Sequence, residues 1–265
     1  MAHIPTILVL DSGLGGLTVL REIVKALPSA RYVYVADDAF FPYGHHSEDE
    51  IIARVVPLVG ELIAAHAPDI AVIACNTMSV SVLGPLRAAY SAPFVGTVPA
   101  IKPACAASKT KRVSVLGTRA TVQREYTQAL IRNHAQDCTV TLVGAANLAT
   151  LAEDALRGKT VSDADILSEI APCFVPAADG GGLRTDAVVL ACTHYPLLLD
   201  RLLKLAPWPV AWIDPAPAIA RRVVGLLGPI DNGSRELPPE LIFTSGRSYA
   251  LTDALTPFFG GRVPA

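Results

Sequence analysis

Short apolar segments alternate with helical patterns along almost the whole of this chain. Thr6–Leu10 is a mainly apolar run, a glycine-containing turn follows at residues 11–16, and Leu17, Leu20 and Val24 then mark one face of a helix. Apolar runs of this kind are typical of parallel strands that are buried on both faces. The chain is therefore predicted to have an α/β fold with mostly parallel sheets flanked by helices.

Two short segments, Ile73–Thr77 and Leu190–His194, repeat one another. Each is an apolar run that ends in Ala-Cys and is followed by two residues able to hydrogen-bond a ligand. The cysteine is expected at the carboxyl end of its strand, where open α/β folds bind ligands. The repeat predicts two similar domains, with Cys75 and Cys192 facing each other across an active site at the domain interface.

The order of the predicted elements suggests a discontinuous first domain. Residues 1–97 and 209–265 are predicted to form it, and residues 98–208 the second domain. The helix after Pro215 and the segment Leu241–Gly246 would return the chain to the first domain. Helices are also predicted at 121–134, 148–156 and 162–175, and the proline- and glycine-containing stretch 228–239 is predicted to be a surface connection.

Composition excludes several classes of protein. The 265 residues carry a net charge of −2, which argues against a nucleic-acid or acidic-membrane partner. The apolar stretch 51–75 is interrupted by charges and prolines, so no membrane span is expected, and the N-terminus is unlike a signal peptide. The five cysteines are scattered, as in a reducing cytosol, and no CxxC or HxxxH pair predicts a metal site. A cytoplasmic protein is expected.

Cysteine acts in acid–base chemistry as its thiolate, and a free thiol has a pKa of about 8.5, so each cysteine needs a polar helper. Asp11, which ends the first strand, is the candidate beside Cys75, although an aspartate there is also a common helix N-cap. His194 is the candidate beside Cys192, with a solvated loop histidine as the alternative. Glu153 is a weaker candidate, because glutamates are usually on the surface. The remaining cysteines are predicted to be inert and apolar: Cys105, Cys138 and Cys173.

The glycine turn at residues 13–16 lacks the pattern of a nucleotide-binding loop. Its amide groups, at the start of a helix, are instead expected to hold a carboxylate. Neutral hydrogen-bonding side chains are predicted near the same pocket: Asn76, Thr77, Thr118, Thr121 and Thr193. Together these residues predict a small pocket for a polar, carboxylate-bearing molecule.

Seven segments of the chain carry a specific resemblance. They are Asp-Ser-Gly-Leu-Gly-Gly-Leu at 11–17, Pro-Tyr-Gly at 42–44, Ala-Cys-Asn-Thr at 74–77, Val-Pro-Ala-Ile-Lys-Pro at 98–103, Gly-Thr-Arg-Ala-Thr-Val at 117–122, Cys-Thr-His-Tyr-Pro-Leu-Leu at 192–198 and Phe-Thr-Ser-Gly at 243–246. In this order they resemble the glutamate racemases, within the cofactor-independent aspartate/glutamate racemase superfamily. The resemblance covers nearly the whole chain.

The resemblance implies an isomerase that interconverts L- and D-glutamate without a cofactor and supplies D-glutamate for peptidoglycan. It implies that Cys75 and Cys192 are the catalytic thiols, serving D- and L-glutamate respectively, with Asp11, His194 and Glu153 as helpers. The side chains and backbone implied to contact the substrate are those of Asp11, Ser12, Tyr43, Gly44, Asn76, Thr77, Thr193 and His194. The small molecule is the only partner predicted, and homodimerisation is left open.

Three other functions remain as alternatives. An aspartate racemase would share the mechanism and have a shorter pocket, and the Asp-Ser-Gly-x-Gly-Gly start favours glutamate. A decarboxylase of the same superfamily would need only one protonating thiol. A two-domain binding protein without chemistry would give the paired Ala-Cys segments no role. Uptake of deuterium at the α-carbon distinguishes proton abstraction from binding alone.

Overall fold

The computed structural model describes residues 3–135, 137–177, 183–228, 238–247 and 255–264. Within these ranges the strands form two sheets, and every strand pair in both is parallel. Helices connect most of the strands, as the parallel arrangement requires. The predicted α/β class, with two mostly parallel sheets flanked by helices, is confirmed.

The chain divides by its internal contacts into two compact units, Met1–Thr97 with Ala216–Ala265 and Val98–Pro215. The strands of the first unit are β1 (Thr6–Asp11), β2 (Arg31–Ala36), β3 (Ile70–Ile73), β4 (Phe94–Gly96) and β9 (Glu240–Phe243), in the order β4-β3-β1-β2-β9. Its helices are α1 (Leu17–Ala26), α2 (Glu48–His66), α3 (Asn76–Ala89) and α10 (Ala216–Leu227). β1 and β3 are buried along their whole length, which agrees with their mainly apolar sequences.

The second unit has a four-stranded sheet. Its strands are β5 (Arg112–Thr118), β6 (Thr139–Ala145), β7 (Ala187–Ala191) and β8 (Ala211–Ile213), in the order β6-β5-β7-β8. Its helices are α4 (Ile101–Ala107), α5 (Arg119–Gln123), α6 (Glu125–His134), α7 (Leu148–Leu156), α8 (Asp163–Ile170) and α9 (Leu199–Leu205). Apolar side chains from α7, α8 and α9 pack with those of β7 in one core.

The sequence analysis missed or misjudged several short elements. β4 and β8 have three residues each and α4 has seven, which is too short for a periodic pattern to stand out. The helix predicted at 121–134 is broken at Arg124, whose backbone is extended between α5 and α6. The helix predicted at 162–175 ends at Ile170 and is followed by a short 3₁₀ turn.

The predicted boundary between the two domains, after residue 208, lies before the start of β8. Because β8 pairs with β7, we propose that the second domain extends to Pro215. The chain then returns to the first unit, where α10 packs against α1 and β9 pairs with β2. Most of the connection predicted at 228–239 lies outside the described residues.

Candidate active site

Cys75 and Asp11 lie at the ends of two neighbouring strands. Asp11 is the last residue of β1, and Cys75 follows Ala74 directly after β3 and forms the N-cap of α3. The Ala74 amide donates to the Leu10 carbonyl at 2.8 Å, which sets the register of the two strand ends. Both Cys75 and Asp11 are buried. The parallel register therefore places the two strand ends that carry this thiol and this carboxylate next to each other.

The Asp11 carboxylate holds the glycine turn in place. Its Oδ2 accepts the amide of Gly13 at 3.3 Å and that of Gly16 at 2.8 Å. A Cβ atom on Gly16 would lie 2.7 Å from the Asp11 Cβ and 2.9 Å from the Ala74 Cβ, so only glycine fits there. The turn amides were expected to bind a ligand's carboxylate, but these two bind the carboxylate of Asp11. The N-cap residue of α1 is Gly16, not Asp11.

Buried polar side chains surround the Cys75 strand end. Ser12 lies in the turn after β1, and Asn76 and Thr77 open helix α3. Neither polar atom of the Asn76 side-chain amide hydrogen-bonds to any residue in the described ranges, although Asn76 is only 2% exposed. A buried amide without a partner has a large desolvation cost, and a polar ligand would offset it. Asn76 is therefore well placed to bind one.

Tyr43 is held by the buried carboxylate of an ion pair that was not predicted from the sequence. Its hydroxyl donates to Asp37 Oδ2 at 2.5 Å, and Arg54 donates to both oxygens of the same carboxylate at 3.0 and 2.6 Å. Thr244, two residues before Gly246, also donates to Asp37. Gly44 follows Tyr43 in a 3₁₀ turn and is partly exposed. We name Asp37, Arg54, Tyr43 and Thr244 the Asp37 network.

The surroundings of Asp37 and Tyr43 determine whether each group carries a charge. Burial by itself raises the pKa of Asp37, but the hydrogen bonds from Arg54, Thr244 and Tyr43 and the charge of Arg54 lower it overall. Burial, the Asp37 carboxylate and the negative charge of a Cys75 thiolate all raise the pKa of Tyr43. Asp37 is therefore ionised, and Tyr43 is a neutral phenol close to the Cys75 thiol.

Cys192 has the same position in the second sheet. It follows Ala191, the last residue of β7, and the register pairs Ala191 with Gly117 of β5. Thr118, which ends β5, therefore lies next to Cys192 at the carboxyl edge of this sheet. Cys192, Thr193 and His194 are all buried, so the alternative of a solvated loop histidine is wrong.

A chain of hydrogen bonds joins the Cys192 thiol to a carboxylate. Cys192 Sγ lies 3.9 Å from His194 Nδ1, and His194 Nε2 lies 2.8 Å from Glu153 Oε2. Arg157, one helical turn after Glu153 on α7, donates to the other carboxylate oxygen at 2.9 Å. Glu153 is only 4% exposed, so the alternative of a surface glutamate is wrong.

The imidazole of His194 is poised to be a cation. Burial alone lowers the pKa of His194, but its hydrogen bonds with Cys192 and Glu153 and the negative charges of both groups raise it well above the usual value. An imidazolium beside a thiol favours the thiolate. The arrangement of thiol, imidazole and carboxylate is therefore suited to moving a proton to and from Cys192.

Two of the predicted threonines have local structural partners. Thr118 Oγ1 accepts the amide of Thr121 at 3.1 Å, which caps α5, and the two hydroxyls lie 3.0 Å apart. Thr127 donates to the Thr121 carbonyl at 2.6 Å. These bonds hold the two hydroxyls at the strand edge where Cys192 lies.

The sequence of residues 7–223 matches the model of the Asp/Glu/hydantoin racemase family. The chain belongs to that family. It is accordingly an isomerase of the racemase type.

Several glutamate racemases resemble the chain over most of its length. The glutamate racemase of Brucella anthropi is 58% identical over 224 residues, which are 84% of this chain and 80% of the relative. The crystal structure of Escherichia coli glutamate racemase, in complex with L-glutamate and the activator UDP-MurNAc-Ala, is 36% identical with a TM-score of 0.82 and covers 97% of this chain and 93% of that one. Glutamate racemase RacE1 of Bacillus anthracis is 29% identical with a TM-score of 0.73 and covers 92% and 88%.

Four residues of the candidate site were not predicted from the sequence: Arg157, Asp37, Arg54 and Thr244. Arg157 has a readable signal, because Glu153 and Arg157 are four residues apart and so share one helix face. Asp37 comes directly after the buried strand β2, much as Asp11 ends β1. That position could have indicated Asp37 as a site residue. Arg54 and Thr244 have no such signal, since they reach Asp37 from distant parts of the chain.

Within the described ranges, no three or more His, Cys, Asp and Glu side chains are grouped so that they could hold a metal ion. Nor does any described helix combine the length and the apolar character needed to cross a membrane.

Proposed function

We propose that this chain interconverts L-glutamate and D-glutamate by moving the α-proton between two cysteines, without a cofactor. The observation that carries the proposal is that both units have a buried strand-end cysteine, and each cysteine has its own polar helper. The names of the relatives support glutamate as the substrate. We further propose that the product D-glutamate is used for peptidoglycan and that the protein is cytoplasmic, a location that five free cysteines support.

For L-glutamate, the proposed base is the Cys192 thiolate. His194, held by Glu153, lies beside this thiol and can exchange a proton with it. As the thiolate takes the α-proton, His194 and Glu153 keep the local charge balanced. The thiol of Cys75 then gives a proton to the opposite face of the α-carbon, which inverts the centre.

For D-glutamate, the proposed base is Cys75, and its helper is Asp11. An aspartate carboxylate acts here by accepting a proton or by orienting the thiol. The carbanionic intermediate places negative charge on the α-carboxylate, and neutral donors in fixed positions stabilise such charge. The buried amide of Asn76 is the strongest donor candidate, because it is unsatisfied within the described ranges.

Deuterium uptake tests the reaction itself. L-glutamate and D-glutamate are each incubated with the protein in deuterated buffer, and α-deuterium and chirality are followed together. We expect both enantiomers of glutamate to gain α-deuterium and to racemise, and aspartate to do neither. No deuterium in glutamate would overturn the proposal, and faster exchange of aspartate would assign the chain to the alternative aspartate racemase.

Serine variants test the two thiols. Cys75→Ser and Cys192→Ser are each expected to lower racemisation by several orders of magnitude, because a serine hydroxyl is a far weaker acid than a thiol. Cys173→Ser is the control, since Cys173 lies in the apolar core of the second unit, in the 3₁₀ turn after α8 and not after a strand. Circular dichroism checks that each variant is folded. A folded Cys75 or Cys192 variant with full turnover in both directions would rule out the two-thiol mechanism.

A further inference from the structure

A surface cavity of about 410 Å³ in the Val98–Pro215 unit contains two cysteines that the proposed reaction does not use. Cys105 comes from α4, and Cys138 lies between α6 and β6, so the two helices and the strand bring them together. Both are free thiols. The sequence analysis predicted each to be an inert core residue, but both line this cavity.

Cys138 lies directly against the Cys105 residue. The Cys138 Sγ lies 3.8 Å from the Cys105 carbonyl oxygen, and both side chains line the same cavity. Cys105 is buried, whereas Cys138 is half-buried and more accessible from solvent. Two adjacent thiols of unequal exposure suit a reaction in which the outer one attacks first and the inner one completes it.

The cavity around the pair carries more positive than negative charge. Lys102, Lys111 and Asp137 line it, and the Lys111 ammonium donates to the Cys105 carbonyl at 2.9 Å. Burial and the hydrogen bond with Cys138 raise the pKa of Cys105 to about 12, and the charge of Lys111 opposes the rise. Cys105 therefore keeps its proton until Cys138 has reacted. The lysines also favour negatively charged molecules in the cavity.

We propose that Cys105 and Cys138 form a thiol–disulfide exchange site for anionic low-molecular-weight disulfides. The Cys138 thiolate attacks one sulfur of the small disulfide, forms a mixed disulfide and releases one small thiolate. Cys105 then gives its proton to the released small thiolate and attacks Cys138 Sγ. This attack expels the second small thiolate, which takes a proton from water, and leaves a Cys105–Cys138 disulfide. Two protein thiols are oxidised and one small disulfide is reduced to two thiols, so the two electrons balance.

Peptide mapping tests the site without relying on activity. Trypsin separates all five cysteines, with Cys105 in the peptide 88–109 and Cys138 in 133–157. The native protein is equilibrated with glutathione disulfide and glutathione at a series of ratios, alkylated and digested. We expect the linked pair 88–109 with 133–157 to be the first disulfide to form. Its absence at ratios that oxidise other cysteines would overturn the proposal.

Single variants test the order of attack. Cys105→Ser is expected to accumulate a stable mixed disulfide with glutathione at Cys138, because the second step is blocked. Cys138→Ser is expected to form several-fold less mixed disulfide at Cys105. Neither residue belongs to the proposed catalytic set, so both variants should retain racemisation, which also reports that they are folded. Equal labelling of the two variants would contradict the assigned roles.

A charge variant tests the class of disulfide. Lys102→Gln should slow oxidation by anionic glutathione disulfide several-fold and leave oxidation by neutral bis(2-hydroxyethyl) disulfide unchanged. Lys109→Gln is the matched control, since Lys109 is exposed and does not line the cavity. Equal slowing with both disulfides would overturn the preference for anions.

Discussion

The proposed helpers of the Cys75 and Cys192 thiols differ in their chemistry. Asp11 is a carboxylate held by two glycine amides, whereas His194 is an imidazole held by a carboxylate. A carboxylate accepts a proton or orients the thiol, and an imidazole also acts as a cation. The two directions of the proposed reaction therefore depend on different residues.

Loss of one helper is expected to affect the two directions unequally. Asp11→Asn should mainly slow proton abstraction from D-glutamate, and His194→Asn that from L-glutamate, because each thiol is the base in one direction only. The difference should appear in kcat, and the Haldane relation requires KM to compensate. Single-turnover exchange of each enantiomer's α-proton in deuterated buffer measures it. Equal losses in both directions for both variants would show that neither Asp11 nor His194 serves one thiol alone.

Glu153 is expected to set the pH range of the L-glutamate reaction. The carboxylate helps to raise the pKa of His194, so Glu153→Gln should lower that pKa. His194 would then lose its proton at lower pH, and the alkaline fall in kcat for L-glutamate should move in the same direction. Profiles of kcat against pH for both enantiomers provide the measurement. Glu125→Gln, at an exposed glutamate of the same unit, should leave the profile unchanged.

If the Glu153→Gln profile coincides with that of the unmodified protein, Glu153 does not control the protonation of His194. Lower kcat at every pH without a displaced profile would instead indicate that Glu153 only holds the imidazole in position.

At the scale of the elements, the ends of parallel strands bring the polar residues together. β1 and β3 are adjacent, as are β5 and β7, and in each pair a cysteine follows one strand. The turn after β1 must then pass close to β3, where Gly16 meets the side chains of Asp11 and Ala74. The position of Asp11 therefore depends on this glycine as well as on the strand.

Gly16→Ala is expected to destabilise the fold by about 1–3 kcal/mol and to lower activity with D-glutamate, because the added Cβ displaces Asp11. Gly225→Ala in α10 is the control, since its Cβ would meet nothing within 4 Å. Alanine there should raise stability by up to about 1 kcal/mol, as expected for an exposed helix position. Urea denaturation and kcat of the folded protein measure the two effects. Equal free energies of unfolding for both variants would show that the turn accommodates the added Cβ without loss of stability.

At the scale of the whole molecule, each of the two units contains one of the proposed catalytic thiols and its proposed helper. The proposed chemistry needs no electron sink, since proton transfer between thiols requires only donors that stabilise negative charge. The residues in the described ranges contain no grouping of ligands for a metal ion.

Removal of metals and carbonyl cofactors is therefore expected to leave activity unchanged. The protein is dialysed exhaustively against a chelator, treated with hydroxylamine to remove any pyridoxal phosphate, and assayed in both directions under reducing conditions. A pyridoxal-dependent racemase treated in parallel shows that the treatment works. A large loss that one added metal or pyridoxal phosphate restores would overturn the cofactor-independent proposal.

Local sequence predicted the α/β class and the strand ends at Asp11, Cys75 and Cys192. These features follow from nearby residues, because an apolar run predicts a buried strand and the next residues lie at its end. Short elements such as β8 were missed, since three residues carry too little pattern.

The sequence by itself thus determined which residues end the strands, but only the tertiary structure decided which side chains meet there. Glu153 and His194 are 41 residues apart, and Thr244 reaches Asp37 across 207 residues. Cys105 and Cys138, predicted to be inert, share a cavity because α4 packs against α6. Contacts of this kind depend on how helices and strands pack against each other, and no local pattern of residues encodes that packing.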